Sequence, residues 1–240
     1  MFACACQKKF QVVQSVISVS WLRFRGRTAA PRTLRGRTAH ACSRRRVTHV
    51  KIVLASTSLY RRELLQRLQI PFTTADPGVD EAANPGERPE ALVERLARAK
   101  AMALAAAHPD ALIVGCDQVA VSGGVVVGKP GNRENAVRQL REMSGRDTTF
   151  YTAVCVHDAA SGRTSTRVIP YLVRLRPLND DVIERYLERE QPYDCAGSAK
   201  SEGLGIALIE RMEGEDPNAL IGLPLIALVD LLAEHGVQIP

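Results

Sequence analysis

The chain has 240 residues, 45% of them apolar, enough to bury one substantial core in one or two domains. No run of about eighteen apolar residues occurs, so the sequence offers no membrane-spanning helix. The net charge of +6 misleads, because residues 1–50 hold eleven of the 32 lysines and arginines and no acid; the remaining 21 basic and 26 acidic residues give −5, which is no case for a nucleic-acid-binding body.

The chain therefore divides into a basic extension, 1–48, and a body, 49–240. Three readings of the extension stand: upstream sequence translated from a misassigned start, a mitochondrial-type transit peptide, or a basic arm for nucleic acid or membrane. The first is favoured, since a buried strand opens at Lys51 and Val47 or Val50 could mark an alternative start. In each case residues 1–48 are expected to be disordered or weakly packed. The six cysteines split likewise. Cys4, Cys6 and Cys42 lie in the extension, Cys116, Cys155 and Cys195 are scattered through the body, and no CxxC occurs. Reduced thiols in a cytoplasmic protein are the simplest reading.

In chain order the body alternates strands and helices, the mark of an α/β domain. A strand at 51–55 feeds a helix at 59–69, with Ser58 as its N-cap. Residues 71–86 read as strand and acidic loop, and 88–107 as a helix with Pro89 near its start. The run "ALIVGCD", 111–117, reads as a buried strand ending in a carboxylate; Gly123-Gly124 then turns a hairpin into "VVVGKP". A helix at 132–143 follows, closed by Ser144-Gly145, then strands 147–158 and 163–176 joined by "AASGR". A helix at 179–190, a Gly-rich segment at 197–205, a strand at 205–210 and a helix at 224–234 with Pro224 in its first turn complete the chain.

Five places could carry chemistry. At "LASTSLYRRELL", 54–65, a strand–helix junction offers free N–H groups, the hydroxyls of Ser56, Thr57 and Ser58, and the Arg61 fork, all suited to phosphate; an ordinary cap with exposed arginines is the alternative. Asp117 ends a strand, where a carboxylate can hold a cation or orient water, or merely open a turn. Lys129 in "GKP" lies past a hairpin that folds it back toward Asp117, or is a plain loop lysine. Asp80-Glu81 suits a hard cation or forms a solvated pair. "AGSAKSEGLG", 196–205, lets backbone approach a flat ligand and projects Lys200 and Glu202 from a flexible, exposed segment. Asp216 and Asn218 read as turn formers. There is no HxxxH, GxSxG or Walker lysine motif.

Taken together, "LASTSLYRRELL", "VDE", Lys100-Ala101, "GCDQV", "GKP", "SGRDTTFYT", "AGSAKSEGLG" and "GLPL" occur in an order that resembles the Maf family of nucleotide pyrophosphatases, from Lys51 to about Gln238. The resemblance implies an elongated, two-lobed α/β fold like that of inosine-triphosphate pyrophosphatases: a mixed, twisted sheet with flanking helices and a cleft between the lobes. It implies hydrolysis of a nucleoside triphosphate to monophosphate and pyrophosphate with a divalent metal cation such as Mg or Mn. Ser58, Arg61, Lys100 and Lys129 would line the triphosphate; Glu81 and Asp117 would serve the metal, with Asp117 the catalytic base. The implied partners are a nucleoside triphosphate and a second copy in a homodimer, with no nucleic acid and no membrane.

Within that family, Gln118 after the aspartate, Glu202 in "KSEG" and aromatic Tyr60, where tryptophan is usual, resemble the branch acting on N7-methyl-GTP rather than on dTTP and UTP. A carboxylate at Glu202 can accept both N–H donors of the guanine edge. A methylated, cationic base on an aromatic face gains ~1–2 kcal/mol of cation–π attraction. Two other readings are a pyrimidine-preferring or broad pyrophosphatase of the same fold, and a non-catalytic nucleotide-binding regulator of cell division.

Overall fold

The computed structural model describes residues 50–240; every reading of the extension 1–48 lies outside the described residues. Strands β1 (Lys51–Ala55), β2 (Thr73–Ala75), β3 (Ala111–Ser122), β4 (Val125–Val127), β5 (Asp147–Asp158), β6 (Thr164–Leu175) and β7 (Ile209–Gly214) build one mixed sheet. Its order is β2-β1-β3-β5-β6-β7, with β4 paired to β3. β1 runs parallel to β2 and β3; every other pairing is antiparallel. The helices are α1 (Leu59–Gln66), α2 (Pro89–Ala103), α3 (Arg133–Met143), α4 (Asp180–Glu190), α5 (Pro217–Ile221) and α6 (Leu225–Glu234). This is the expected α/β class with a mixed sheet between helices.

The edge of β3 decides where a site forms. Lys51–Ala55 pair with Ala111–Gly115, and Val125–Val127 pair with Ala120–Ser122 on the same edge. Between those two stretches Cys116 to Val119 have no strand beside them there, so the sheet opens around Asp117. In sequence, the run 111–117 reads as a strand that ends at its carboxylate. The strand continues to Ser122 because β5 pairs with it without interruption from Leu112 to Ser122.

Strand alternation sorts the core. Leu112, Val114 and Cys116 point to a cluster with Ile52, Leu54, Leu64, Leu65 and the apolar face of α6. Ile113 and Val119 point the other way, to Val93, Ala97 and Ala101 of α2. Gly115 lies on that second face, and only glycine fits: a Cβ there would sit 2.1 Å from the Ala97 carbonyl oxygen and 2.8 Å from the Ala101 nitrogen. This close approach brings α2, and with it Lys100, down beside Asp117. A third cluster, with Leu140, Met143, Ile183 and Leu187, holds α3 and α4.

Local chemistry fixes the helix starts. Ser58, Asn132, Asn179 and Asp216 each accept a hydrogen bond from a first-turn amide of the helix they precede. Asp216 also accepts from the Ile226 amide at 2.7 Å, so it anchors both α5 and α6, as a turn former.

Several boundaries differ from expectation. α1 stops at Gln66 and α2 at Ala103, each passing into turns. Residues 204–208 form a 3₁₀ turn and the strand begins at Ile209, not 205. Gly205 is pressed on the Lys200 backbone, where a Cβ would lie 2.4 Å from the carbonyl oxygen. Such crowding holds a folded-back loop rather than a strand. Pro224 caps α6 instead of lying inside it, and α5 before it was not foreseen.

Candidate active site

A cleft of about 750 Å³ opens at the gap beside β3. The nine residues given roles by the family resemblance line it: Ser58, Tyr60, Arg61, Glu81, Lys100, Asp117, Gln118, Lys129 and Glu202; Asp80, Lys200, Asp216 and Asn218, also candidates in the sequence, do not. The nine come from α1, α2, β3, the loops around them and the 196–205 segment, so only the fold brings them together. The size falls in the range of small-ligand sites.

At the centre Lys100 is buried and holds two carboxylates. Its Nζ lies 2.6 Å from Asp117 Oδ1 and 2.5 Å from Glu81 Oε1. The ammonium that was expected to line the triphosphate thus pairs here with both carboxylates. Partial desolvation in the cleft pushes the Glu81 carboxyl up. The Lys100 hydrogen bond and the charges of Lys100, Lys129 and Arg61 outweigh that desolvation and hold it below its ordinary range. Its neighbour Asp80 makes a local turn, accepting from the Ala82 amide at 3.0 Å, so the two acids separate in role.

The two carboxylates suit a divalent cation. Glu81 and Asp117 converge on a single position of positive charge, which is what a hard cation needs of two carboxylates. Among the described residues no group of three or more His, Cys, Asp or Glu side chains forms a protein-only cage. A magnesium-like ion bound by two carboxylates, with phosphate and water completing its shell, fits these residues.

The phosphate side rests on the strand–helix junction. The Ser58 hydroxyl accepts from the Arg61 amide at 3.4 Å, and Ser56 Oγ accepts from the Ser58 amide at 3.2 Å. Arg61 also clamps the cleft floor: Nε donates to the Gly222 carbonyl at 3.0 Å and Nη1 to the Cys116 carbonyl at 2.8 Å. The Cys116 carbonyl lies in the unpaired stretch of β3, so the guanidinium satisfies a backbone acceptor that the missing strand would have taken. Lys129 reaches the same cleft from the β4 hairpin.

Gln118, expected to bear on substrate selection, lines the cleft and also braces its floor. Its Nε2 donates to Thr152 Oγ1 at 2.9 Å and to the Ala219 and Leu220 carbonyls at 2.7 and 3.1 Å. The amide N–H groups are thus spent on fixing the α5 turn, and only the carbonyl oxygen remains for a ligand.

The far end of the cleft carries Tyr60 and the 194–205 segment. Tyr60 donates to Asp194 Oδ2 at 3.0 Å, and Lys200 Nζ stands 5.3 Å from the ring centroid. Burial pushes the Tyr60 hydroxyl up to about 12, so it stays neutral and a donor. The segment is pinned, contrary to expectation. The Leu204 amide donates to Glu190 Oε2 at 2.8 Å, Lys200 Nζ pairs with Glu190 Oε1 at 3.3 Å, and the Lys200 amide donates to the Tyr186 hydroxyl. Glu202 is exposed at the lip, accepting a 3.3 Å bond from Ser201. Sequence reasoning missed Asp194 and Cys195, which also line the cleft. They sit directly before "AGSAK", and a bulky or acidic residue entering a small-residue segment was the available signal.

The family model described as "Maf-like protein" matches residues 51–235. A protein of Nitrosospira multiformis named "7-methyl-GTP pyrophosphatase" is 57% identical over 189 residues, 79% of this chain and 96% of its own length. Proteins with the same name from Methylobacillus flagellatus and Pseudomonas aeruginosa are 56% and 50% identical, over 78% and 79% of this chain and 98% of each relative.

Proposed function

This chain belongs to the Maf family, and from that membership we propose that it is a nucleoside triphosphate pyrophosphatase acting on N7-methyl-GTP, releasing N7-methyl-GMP and pyrophosphate. The observation that carries the reading is the convergence of Glu81 and Asp117 on one cation position, in a cleft that also holds Arg61, Lys129 and the start of α1.

The chemistry follows from those residues. The triphosphate lies along the α1 N-terminus, where unpaired amides and the helix dipole favour anions. Ser58 and the free donors of Arg61 bind its oxygens, and Lys129 offsets charge on the β and γ phosphates. Asp117 orients the attacking water and takes its proton. The water oxygen bonds to the α-phosphorus, the bond to the bridging oxygen breaks, and the electron pair leaves with pyrophosphate. Lys100 keeps the two carboxylates at fixed distance, so little reorganisation is needed as charge moves toward the leaving group. A divalent metal cation, when bound by Glu81 and Asp117, supplies charge neutralisation and a more acidic water. Gln118 holds the α5 turn that closes the cleft floor.

Selection for N7-methyl-GTP rests on Glu202, which accepts the two N–H donors of the guanine edge, and on Tyr60 as a shelf for the cationic base. No described helix is long and apolar enough to cross a membrane, and the free cysteines suit a reducing cytoplasm. Assembly as a homodimer belongs to the same reading.

The test is pyrophosphate release from N7-methyl-GTP, GTP, UTP, dTTP, CTP and ATP, with magnesium, manganese or chelator. Selective, chelator-sensitive release from N7-methyl-GTP is expected. Preference for UTP or dTTP would remove the roles of Tyr60 and Glu202, and no release from any nucleotide would leave a binding protein.

A further inference from the structure

We propose that Asp194 is a specificity-determining residue of this cleft, its carboxylate selecting nucleotides whose base carries a positive charge. The proposal rests on the pyrophosphatase reading for the orientation of the ligand, base toward Tyr60 and phosphates toward Arg61.

At the phosphate end Arg61, Lys129 and Lys100 gather around Glu81 and Asp117, and Glu63 and Asp76 also line the cleft. At the other end the charges are Asp194, Glu202, Lys200 and Glu190. Lys200 is paired with Glu190 at 3.3 Å, which offsets the net charge of that couple while the ammonium still stands beside Tyr60. Asp194 and Glu202 remain as net negative charge.

Asp194 keeps its charge because its partners are neutral. It accepts from the Tyr60 hydroxyl at 3.0 Å and from the Cys195 thiol at 3.4 Å. Burial raises both donors, each to about 12, so neither ionises near neutrality. Partial burial also pushes the Asp194 carboxyl up, but the hydrogen bonds from Tyr60 and Cys195 and the Lys200 charge outweigh it and hold the acid ionised. Asp194 makes no ion pair among the described residues.

A second observation points the same way. The ring that Asp194 fixes already attracts a cation, since Lys200 Nζ stands 5.3 Å from the Tyr60 centroid. The Tyr60 hydroxyl bond aims the ring, and the carboxylate beside it adds a field that a neutral base does not feel. Glu202 reads hydrogen-bond donors, which GTP and N7-methyl-GTP share in number. Asp194 reads charge, which they do not share.

The experiment isolates charge from shape. GTP, N7-methyl-GTP and 7-methyl-7-deaza-GTP are compared; the last carries the methyl group without the positive charge. Pyrophosphate release gives kcat/KM for each, and the dissociation constants of the matching monophosphates are measured without turnover. The wild type is expected to prefer the charged over the neutral methyl compound. Asp194→Asn, which keeps size and an acceptor for Tyr60, is expected to lower that preference about two- to fivefold, the range of a solvent-exposed charge interaction. The ratio of 7-methyl-7-deaza-GTP to GTP should not move. Tyr60→Phe, which removes the hydroxyl but leaves the carboxylate, should retain the preference for charge.

An unchanged charged-to-neutral ratio in Asp194→Asn overturns the inference and leaves the pyrophosphatase reading intact. Equal loss for all three compounds also overturns it, marking Asp194 as merely structural. Absence of pyrophosphate release with a monophosphate affinity ratio that falls in Asp194→Asn would instead defeat the catalytic reading and uphold the role of Asp194.

Discussion

Replacing Lys100 by methionine tests the centre of the site. The side chain length is kept and the charge removed. Lys100 and Asp117 are only 5% and 7% exposed, and the ammonium is 2.6 Å from Asp117 and 2.5 Å from Glu81. Breaking a buried pair by removing one partner costs about 3–5 kcal/mol. Asp117 borders the cleft and Glu81 is largely exposed, so we expect the lower end, about 3 kcal/mol near neutral pH. For a domain of this size that lowers Tm by about 6–12 °C.

The sign with pH is fixed. In the variant the two carboxylates face each other without a counter-charge, a repulsion that is present while both are ionised and is relieved as the pH falls. In the wild type Glu81 is held below its ordinary range, so its contribution is present above the unfolded pKa and fades as pH drops through the folded one. The two stabilities therefore converge on acidification. Magnesium or manganese should narrow the gap at neutral pH by replacing the lost positive charge. Urea unfolding from pH ~3 to ~8, with and without metal, reads all of this. A gap under about 1 kcal/mol, or one constant with pH, would refute the reasoning.

Gly115→Ala forces a Cβ to 2.1 Å from the Ala97 carbonyl, so α2 must lift. Unfolding should show a loss of at least about 3 kcal/mol, and activity should fall because Lys100 moves with the helix. Arg61→Lys gives up the bonds to Cys116 and Gly222; KM for triphosphates is expected to rise about tenfold or more, with a smaller loss of stability. Glu202→Gln should lower the preference for N7-methyl-GTP over UTP about tenfold, as one charged hydrogen-bond acceptor is replaced; competition assays with both substrates would show it.

The order of the elements was readable because capping and turn residues announce them. Ser58, Asn132 and Asn179 mark helix starts, and Gly123-Gly124, both with left-handed backbone, mark the β3–β4 hairpin. The site residues were readable as an ordered set of short motifs, and they do share one cleft. What was not readable is what each side chain spends its hydrogen bonds on. Arg61 and Gln118 look like ligand contacts in sequence, yet both tie down the backbone around Gly222, more than a hundred positions later in the chain. The stiffness of 196–205 was hidden for the same reason: Glu190 and Tyr186 pin it from α4, while the segment itself reads as small and pliable. The true end of β3 depended on its pairing with β5, which no local pattern in 111–122 records.

The central claim is attack of water on the α-phosphorus. Its most direct test is hydrolysis of N7-methyl-GTP in water enriched in heavy oxygen, followed by mass spectrometry of both products. The account predicts the heavy atom in N7-methyl-GMP and none in pyrophosphate, with the rate collapsing in Asp117→Asn. Heavy oxygen in pyrophosphate, or an unimpaired Asp117→Asn enzyme, would contradict it.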